Sequence, residues 1–272
     1  MAINDITLTA GMRNTLSSLQ STANLFDRTQ TRLATGKKVN SALDDPINFF
    51  AAKGYMDRAS DLSGLKDSMN EAIQTVKAAD AGITAMEDLI SQAKSLANSA
   101  LATSSTTARA AFATQFTALR SQIDDIAADS NYKGTSLINN DSITVVFNED
   151  NTSNLTITGD NLTVANDLSI ADAVGSWAGD GNITAAIADL DGAKDVLRTS
   201  SQSLSSNLGV IQTRLDFTSN MVNTLTKGAE NLTLADMNEE GANLLMLQTR
   251  QSLSSTSLSL ASQAAQSVLR LF

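Results

Sequence analysis

The side chains best suited to chemistry are missing from this 272-residue chain: it contains no histidine and no cysteine. Without histidine, the commonest general base and metal ligand are gone. Without cysteine, there are no thiolate nucleophiles, thiolate metal sites or disulfides. What remains is a set of adjacent carboxylates, Asp44–Asp45, Asp124–Asp125 and Glu239–Glu240. Paired acids can share a proton or help to hold calcium. Asp45, however, stands directly before Pro46, the one proline of the chain, as an N-cap stands before the first helical position. The other two pairs fit solvated helix or joint positions. The Asn-rich loop 148–154 lacks the alternating Asp and closing Glu of a calcium loop and reads as a hairpin turn. There is no Gly-rich phosphate loop and no serine with a nearby candidate base. The expectation is no catalytic residue, no cofactor and no metal.

Charge and composition narrow the class further. A net charge of −10 leaves no basic patch to neutralise phosphates, which argues against nucleic acid as a partner. Aromatic residues make up only 4%, which suits the thin cores of helical bundles built from Ala, Leu, Ile and Val. The first residues show no basic region followed by an apolar core, so export without a cleaved signal peptide is expected.

The elements that position these residues are legible from apolar spacing. The first helix is predicted from about Thr7 to Thr35, with Gly36 as its stop, and a short helix from Pro46 to about Arg58. Then Leu65, Met69, Ala72, Val76, Ala79, Ile83, Met86, Ile90, Ala93, Ala97 and Ala100 recur in strict steps of four and three, about 54 Å of coiled-coil helix. A turn at Thr103–Thr107 precedes a shorter helix carrying Phe112, Phe116, Leu119, Ile123 and Ile126. Between Asn131 and about Asn182 the period falls to two, at Ile143, Val145 and Phe147, at Leu155 and Ile157, and at Leu162 and Val164. That pattern predicts a β-hairpin or a three-stranded element at about 140–165. A second long helix, about 75 Å, carries Ile183, Leu190, Leu197, Leu204, Ile211 and Leu215 and ends in a loosened joint near Lys227–Met237.

The two ends carry very little charge: Asp5 and Arg13 up to Phe26, and Arg250 and Arg270 after Gly241. Near the start, Met12, Leu16, Leu19, Ala23, Phe26, Gln30 and Leu33 form one line. Near the end, one line runs Leu244, Leu247, Gln251, Ser254, Leu258, Ala261, Ala265, Val268 and Phe272. A second, on the next face, runs Leu253, Leu260, Ala264 and Leu271. A helix apolar on two faces needs several packing partners. Ser, Thr and Gln interrupt the apolar positions, and a Lys/Arg-rich face is missing, so membrane insertion is not expected. Two such helices can pair, but the pair leaves much of both uncovered unless further copies of the chain surround it. The chain reads as a polymer subunit.

At these residues it resembles bacterial flagellin. The connector RLATGKKVNSALDDP, Arg32 to Pro46, is similar to that family's N-terminal signature; NYKGTSLI, Asn131 to Ile138, resembles the turn before its hairpin. LGVIQTRLDF, Leu208 to Phe217, and the tail LASQAAQSVLRLF, Leu260 to Phe272, resemble its C-terminal helices. The resemblance implies an extracellular filament of many copies, exported through a type III flagellar apparatus. It also implies an export chaperone, a filament cap and hook–filament junction proteins as partners. With about fifty residues between the helical arms, a short form without large outer domains is implied. The hook–filament junction protein of the same superfamily, whose version commonly has Asp-Asp-Pro, is the alternative. Receptor-stimulating members carry Arg and Glu where this chain reads QAKSLAN, Gln92 to Asn98, so that activity is not expected.

The expected architecture is mainly α: an elongated coiled-coil helical bundle with paired N- and C-terminal helices and a small β-hairpin element. Residues 1–40 and 236–272 are expected to form the terminal coiled coil, and residues 41–235 a rod-shaped bundle. The expected assembly contacts are Leu16, Leu19, Phe26, Leu33, Leu244, Leu247, Leu258, Leu260, Val268, Leu271 and Phe272.

Overall fold

Pro46 opens a helix, as its position predicts, but that helix is far longer than a short one. The computed structural model describes residues 10–269. In chain order the elements are α1 (Ala10–Thr35), α2 (Pro46–Leu101), α3 (Thr106–Asp129), β1 (Ser142–Val146), β2 (Asn154–Thr158), a 3-10 turn (Val174–Trp177), α4 (Asp180–Thr233) and α5 (Met237–Leu269). The expected helix ending near Arg58 is therefore the first part of α2. Gly54 and Gly64 lower helix propensity, but neither breaks the hydrogen-bond ladder once the apolar seam continues past them. The loosened joint expected at Lys227–Met237 shrinks to the three residues Leu234, Ala235 and Asp236 for the same reason. Ser105 caps α3 from the expected turn, its hydroxyl accepting from Ala108 N–H.

The chain divides into two compact units, Arg58–Asn223, and Met1–Asp57 with Thr224–Phe272. The division falls inside α2 and α4, not at the connectors near residues 40 and 236, because those two helices run on unbroken.

In the unit Arg58–Asn223 the long seams meet. Every α2 seam position from Met69 to Ala100 is buried, together with Phe116 and Ile123 of α3 and Ile183, Leu190, Leu197, Leu204 and Ile211 of α4. Each large aliphatic or aromatic side chain withdrawn from water contributes about 1.5–3 kcal/mol. The hairpin adds to this core. Strands β1 and β2 pair antiparallel with Ile143 opposite Ile157 and Val145 opposite Leu155, and Val145, Phe147 and Ile157 are buried. Glu149 at the hairpin tip pairs with Arg58 at 2.6 Å, and the Arg214 guanidinium lies 5.2 Å from the Phe147 ring centre. Leu162 and Val164 are buried but form no third strand; Leu162 N–H donates to Ile138 O at 3.0 Å instead. Gly159 is required at this crossing, since a Cβ there would lie 2.0 Å from Asp141 O.

Two side chains of this unit have no counterpart in the sequence reading. Trp177 is fully buried, its ring 4.8 Å from that of Phe116. Arg109 is buried too, and its Nε donates to Ala100 O at 3.1 Å and Thr103 O at 2.7 Å. Its guanidinium also reaches Ala178 O and the Asp180 carboxylate. The last carbonyls of a helix have no intrahelical donor. Arg109 supplies one at the end of α2 while holding the first residue of α4.

Candidate assembly interface

The second unit is built around the connector between α1 and α2. Gly36, at φ +70°, ends α1 in the left-handed conformation that other residues adopt only at a cost. Directly after it, Lys38 N–H and Val39 N–H donate to Thr233 O at 2.7 and 3.3 Å, and Ala235 N–H donates to Gly36 O at 2.9 Å. The end of α1 and the end of α4 are thus stitched together, with Val39 buried beneath.

The paired acids of the connector serve backbone geometry. Asp44 Oδ2 accepts from Asn40 N–H, Ser41 N–H and the Ser41 hydroxyl at 3.0–3.1 Å. Asp45 accepts from Asn48 N–H at 3.1 Å at the start of α2. The hydrogen bonds from Asn40 and Ser41 hold the Asp44 carboxyl below its ordinary value, and that from Asn48 does the same for Asp45. Glu240 overturns the expectation of a solvated acid: it is buried and accepts from Arg32 Nη1 at 2.9 Å, tying α5 to α1.

Helices α1 and α5 pack against each other. On α1 the inward positions are Met12, Thr15, Leu19, Thr22, Phe26, Thr29 and Leu33, of which Thr22 and Thr29 are fully buried. This corrects the expected line at two of its members. Leu16 is 36% exposed and Gln30 is exposed, their places taken by threonines. A pattern read by apolarity passes over threonine, yet its methyl packs while its hydroxyl bonds back within the helix, as Thr22 Oγ1 does to Ser18 O at 2.8 Å. Leu19, Phe26 and Leu33 are half-buried as the shared members of both lines.

On α5, Leu247 is buried and Leu244, Ser254, Leu258 and Ala261 are half-buried, so these members of the first expected line face α1, while Gln251 of the same line is exposed. Leu260, from the second line, is 61% exposed and Leu253 64%. Met246, one heptad before Leu253, extends that exposed stripe and is not evident from the leucines alone. Residues seven apart stay on nearly one face of a helix. The Val268 side chain, Leu271 and Phe272 lie outside the described residues. Leu43 of the connector and Ile47 and Phe50 in the first turns of α2 add further uncovered apolar surface. Among the described residues no helix is long and apolar enough to cross a membrane.

Similarity to known proteins follows this layout. A family model for the bacterial flagellin N-terminal helical region matches residues 6–142, and one for the bacterial flagellin C-terminal helical region matches 184–272. Flagellin FljM and flagellin FljK of Caulobacter vibrioides are 31% and 30% identical to this chain, each over 100% of both chains. A flagellin of Brucella melitensis is 27% identical over 94% of this chain and 95% of its own. The crystal structure of Bacillus cereus flagellin superposes with a TM-score of 0.49 at 16% identity, over 56% of this chain and 88% of that one.

Proposed function

This chain belongs to the bacterial flagellin family, and from that premise we propose that its terminal helices are the assembly contact of a flagellar filament. It is a short flagellin, a structural subunit that polymerises into the filament and transmits motor rotation as thrust. The observation that carries the proposed contact is the second face of α5. One face is occupied by α1, and the Met246–Leu253–Leu260 stripe is left exposed among the described residues. An open helical polymer needs two unlike surfaces per copy. The exposed stripe is one; the outer face of α1, with Leu16, is the other.

The contact set is then divided by role. Leu19, Phe26, Leu33, Leu244, Leu247 and Leu258 hold α1 to α5, and Leu16 and Leu260 meet neighbouring copies. Val268, Leu271 and Phe272 continue the contact along the tail. Neither helix alone removes enough apolar surface from water to offset its ordering entropy. Folding of the terminal pair is therefore coupled to growth of the polymer. Residues 1–40 and 236–272 form the wall in which these contacts repeat.

An unfolded terminal pair also suits export through a type III flagellar apparatus, with a chaperone holding the C-terminal helix, followed by addition beneath a cap. Hook–filament junction proteins would bound the filament at its base. The role is mechanical and requires no catalytic group, cofactor or metal. No observation favours the junction-protein reading over the filament subunit.

Negative-stain electron microscopy of purified protein after adding short filament seeds tests the proposed contact. Long uniform tubes are expected from the full chain and none from a variant lacking Leu260–Phe272. Normal tubes from the deletion variant, or full-length monomers that only cap hook ends, would overturn it.

A further inference from the structure

The methionines are unevenly placed. Met69 and Met86 are fully buried in the unit Arg58–Asn223, while Met56, Met237 and Met246, all in the other unit, are 49%, 48% and 52% exposed. Met12 and Met221 are half-buried. Among the described residues, every exposed methionine therefore lies in the unit that carries the terminal helices. Only Met246 stands on the uncovered stripe, seven residues before Leu253 and beside Leu245, itself 66% exposed.

A thioether is soft, apolar and adaptable, well suited to filling an irregular gap between surfaces. It is also the one apolar side chain that a peroxide converts into a polar one. The sulfur lone pair attacks one peroxide oxygen, the O–O bond breaks, and an S–O bond forms. Sulfur is oxidised by two electrons and the peroxide is reduced to water or an alcohol. The sulfoxide oxygen is a strong acceptor, which is costly to withdraw from water without a donor. Around Met246 the exposed neighbours on the stripe are leucines, with Arg250 the one charged side chain on α5 beyond the Glu239–Glu240 pair.

We propose that Met246 is an oxidation site that controls assembly: its thioether supports subunit contact, and its sulfoxide prevents it until reduced. The inference rests on the reading of the α5 stripe as a contact between copies. It has two consequences for the same residue. In the free subunit Met246 is open to peroxide, and in the filament it is shielded. Met56 and Met237 are as exposed but stand off the stripe, so their oxidation is silent for growth.

The experiment uses the full-length monomer, treated with hydrogen peroxide until peptide mass mapping shows sulfoxide at Met246, and then seeded. The critical concentration is expected to rise about tenfold, corresponding to the desolvation of one polar group per contact. It should return to its starting value after treatment with methionine sulfoxide reductases. Met246→Leu should grow with the same critical concentration before and after peroxide, while a Met56→Leu, Met237→Leu double variant should remain sensitive. Unaltered growth by monomer carrying the Met246 sulfoxide, or equal sensitivity of Met246→Leu, would overturn the proposal while leaving the filament contact standing. Untreated protein failing to elongate seeds would instead remove the contact itself, and this inference with it.

Discussion

The unit Arg58–Asn223 and the pair α1–α5 are written in the same alphabet of heptad-spaced apolar residues, yet they end in opposite conditions. Along α2 every seam position from Met69 to Ala100 is buried by other segments of the same unit. Along α5, Leu247 is the only hydrophobic side chain that is fully buried among the described residues, and Leu245, Met246, Leu253 and Leu260 lie open. The first region is complete within one chain, because α3, α4 and the hairpin all return to the α2 seam. The second has one helix where its surface calls for several. A repeating apolar pattern announces that a face is to be buried; it does not say by which chain.

The sharpest way to break this contrast is to place a charge on the terminal pair. Leu258→Glu or Leu19→Glu should raise the critical concentration for seeded growth by on the order of a thousandfold or abolish growth, since a buried unpaired charge costs several kcal/mol. The emission of Trp177, the one tryptophan of the chain, should stay as in the parent protein, because it lies in the other unit. Filaments forming normally from either variant would show that the terminal faces are not the contact.

The reverse substitution probes the other unit. Phe116→Ala removes a fully buried ring against Trp177 and should cost about 3–5 kcal/mol in thermal or denaturant unfolding, with Trp177 emission shifting to the red. A loss below about 1 kcal/mol would mean that this core is looser than its burial implies. Between these extremes lies Arg32→Ala, which leaves the buried Glu240 without its cation. In assembled filaments, where the pair is folded, a loss of about 2–3 kcal/mol should be confined to α1–α5 and read as faster hydrogen exchange there. Limited proteolysis should then trim both ends sooner than in the parent and spare the unit Arg58–Asn223.

The smallest expected effect is on pH. Asp44 and Asp45 are held below the ordinary carboxyl value of 3.8 by backbone donors. Groups whose folded value is depressed add stability above the unfolded value and lose it as pH falls through the folded one. Amide protection at Asn40, Ser41 and Asn48 should therefore persist down to about pH 4 and fade below it, and Asp44→Asn should remove that pH dependence at Asn40 and Ser41 only. Protection that fades already near neutral pH would point to another titrating group.

Much of this was legible from residue order. Unbroken steps of four and three from Leu65 to Ala100 announce a buried helix, because chance does not sustain such a run and a single chain can satisfy it locally. The alternation at Ile143, Val145 and Phe147 announces a strand for the same reason. Asp45–Pro46 marks a helix start and Gly36 a stop, since each acts through its own backbone. The face of α1 turned to α5 was only half legible: Leu19, Phe26 and Leu33 belong to two neighbouring lines. Choosing between Leu16 and Thr15 or Thr22 needs the partner helix in place.

Local periodicity and capping, then, were determined by sequence alone, because they depend on neighbours within a few residues. Tertiary structure alone decided the long-range polar pairings. Arg32 meets Glu240 across 208 positions, and Arg109 gathers Ala100, Thr103, Ala178 and Asp180 around one guanidinium. Nothing in an arginine's sequence context says whether it will be solvated or buried. That is set by which carbonyls and carboxylates the fold leaves without a donor, and these exist only once the helices have met.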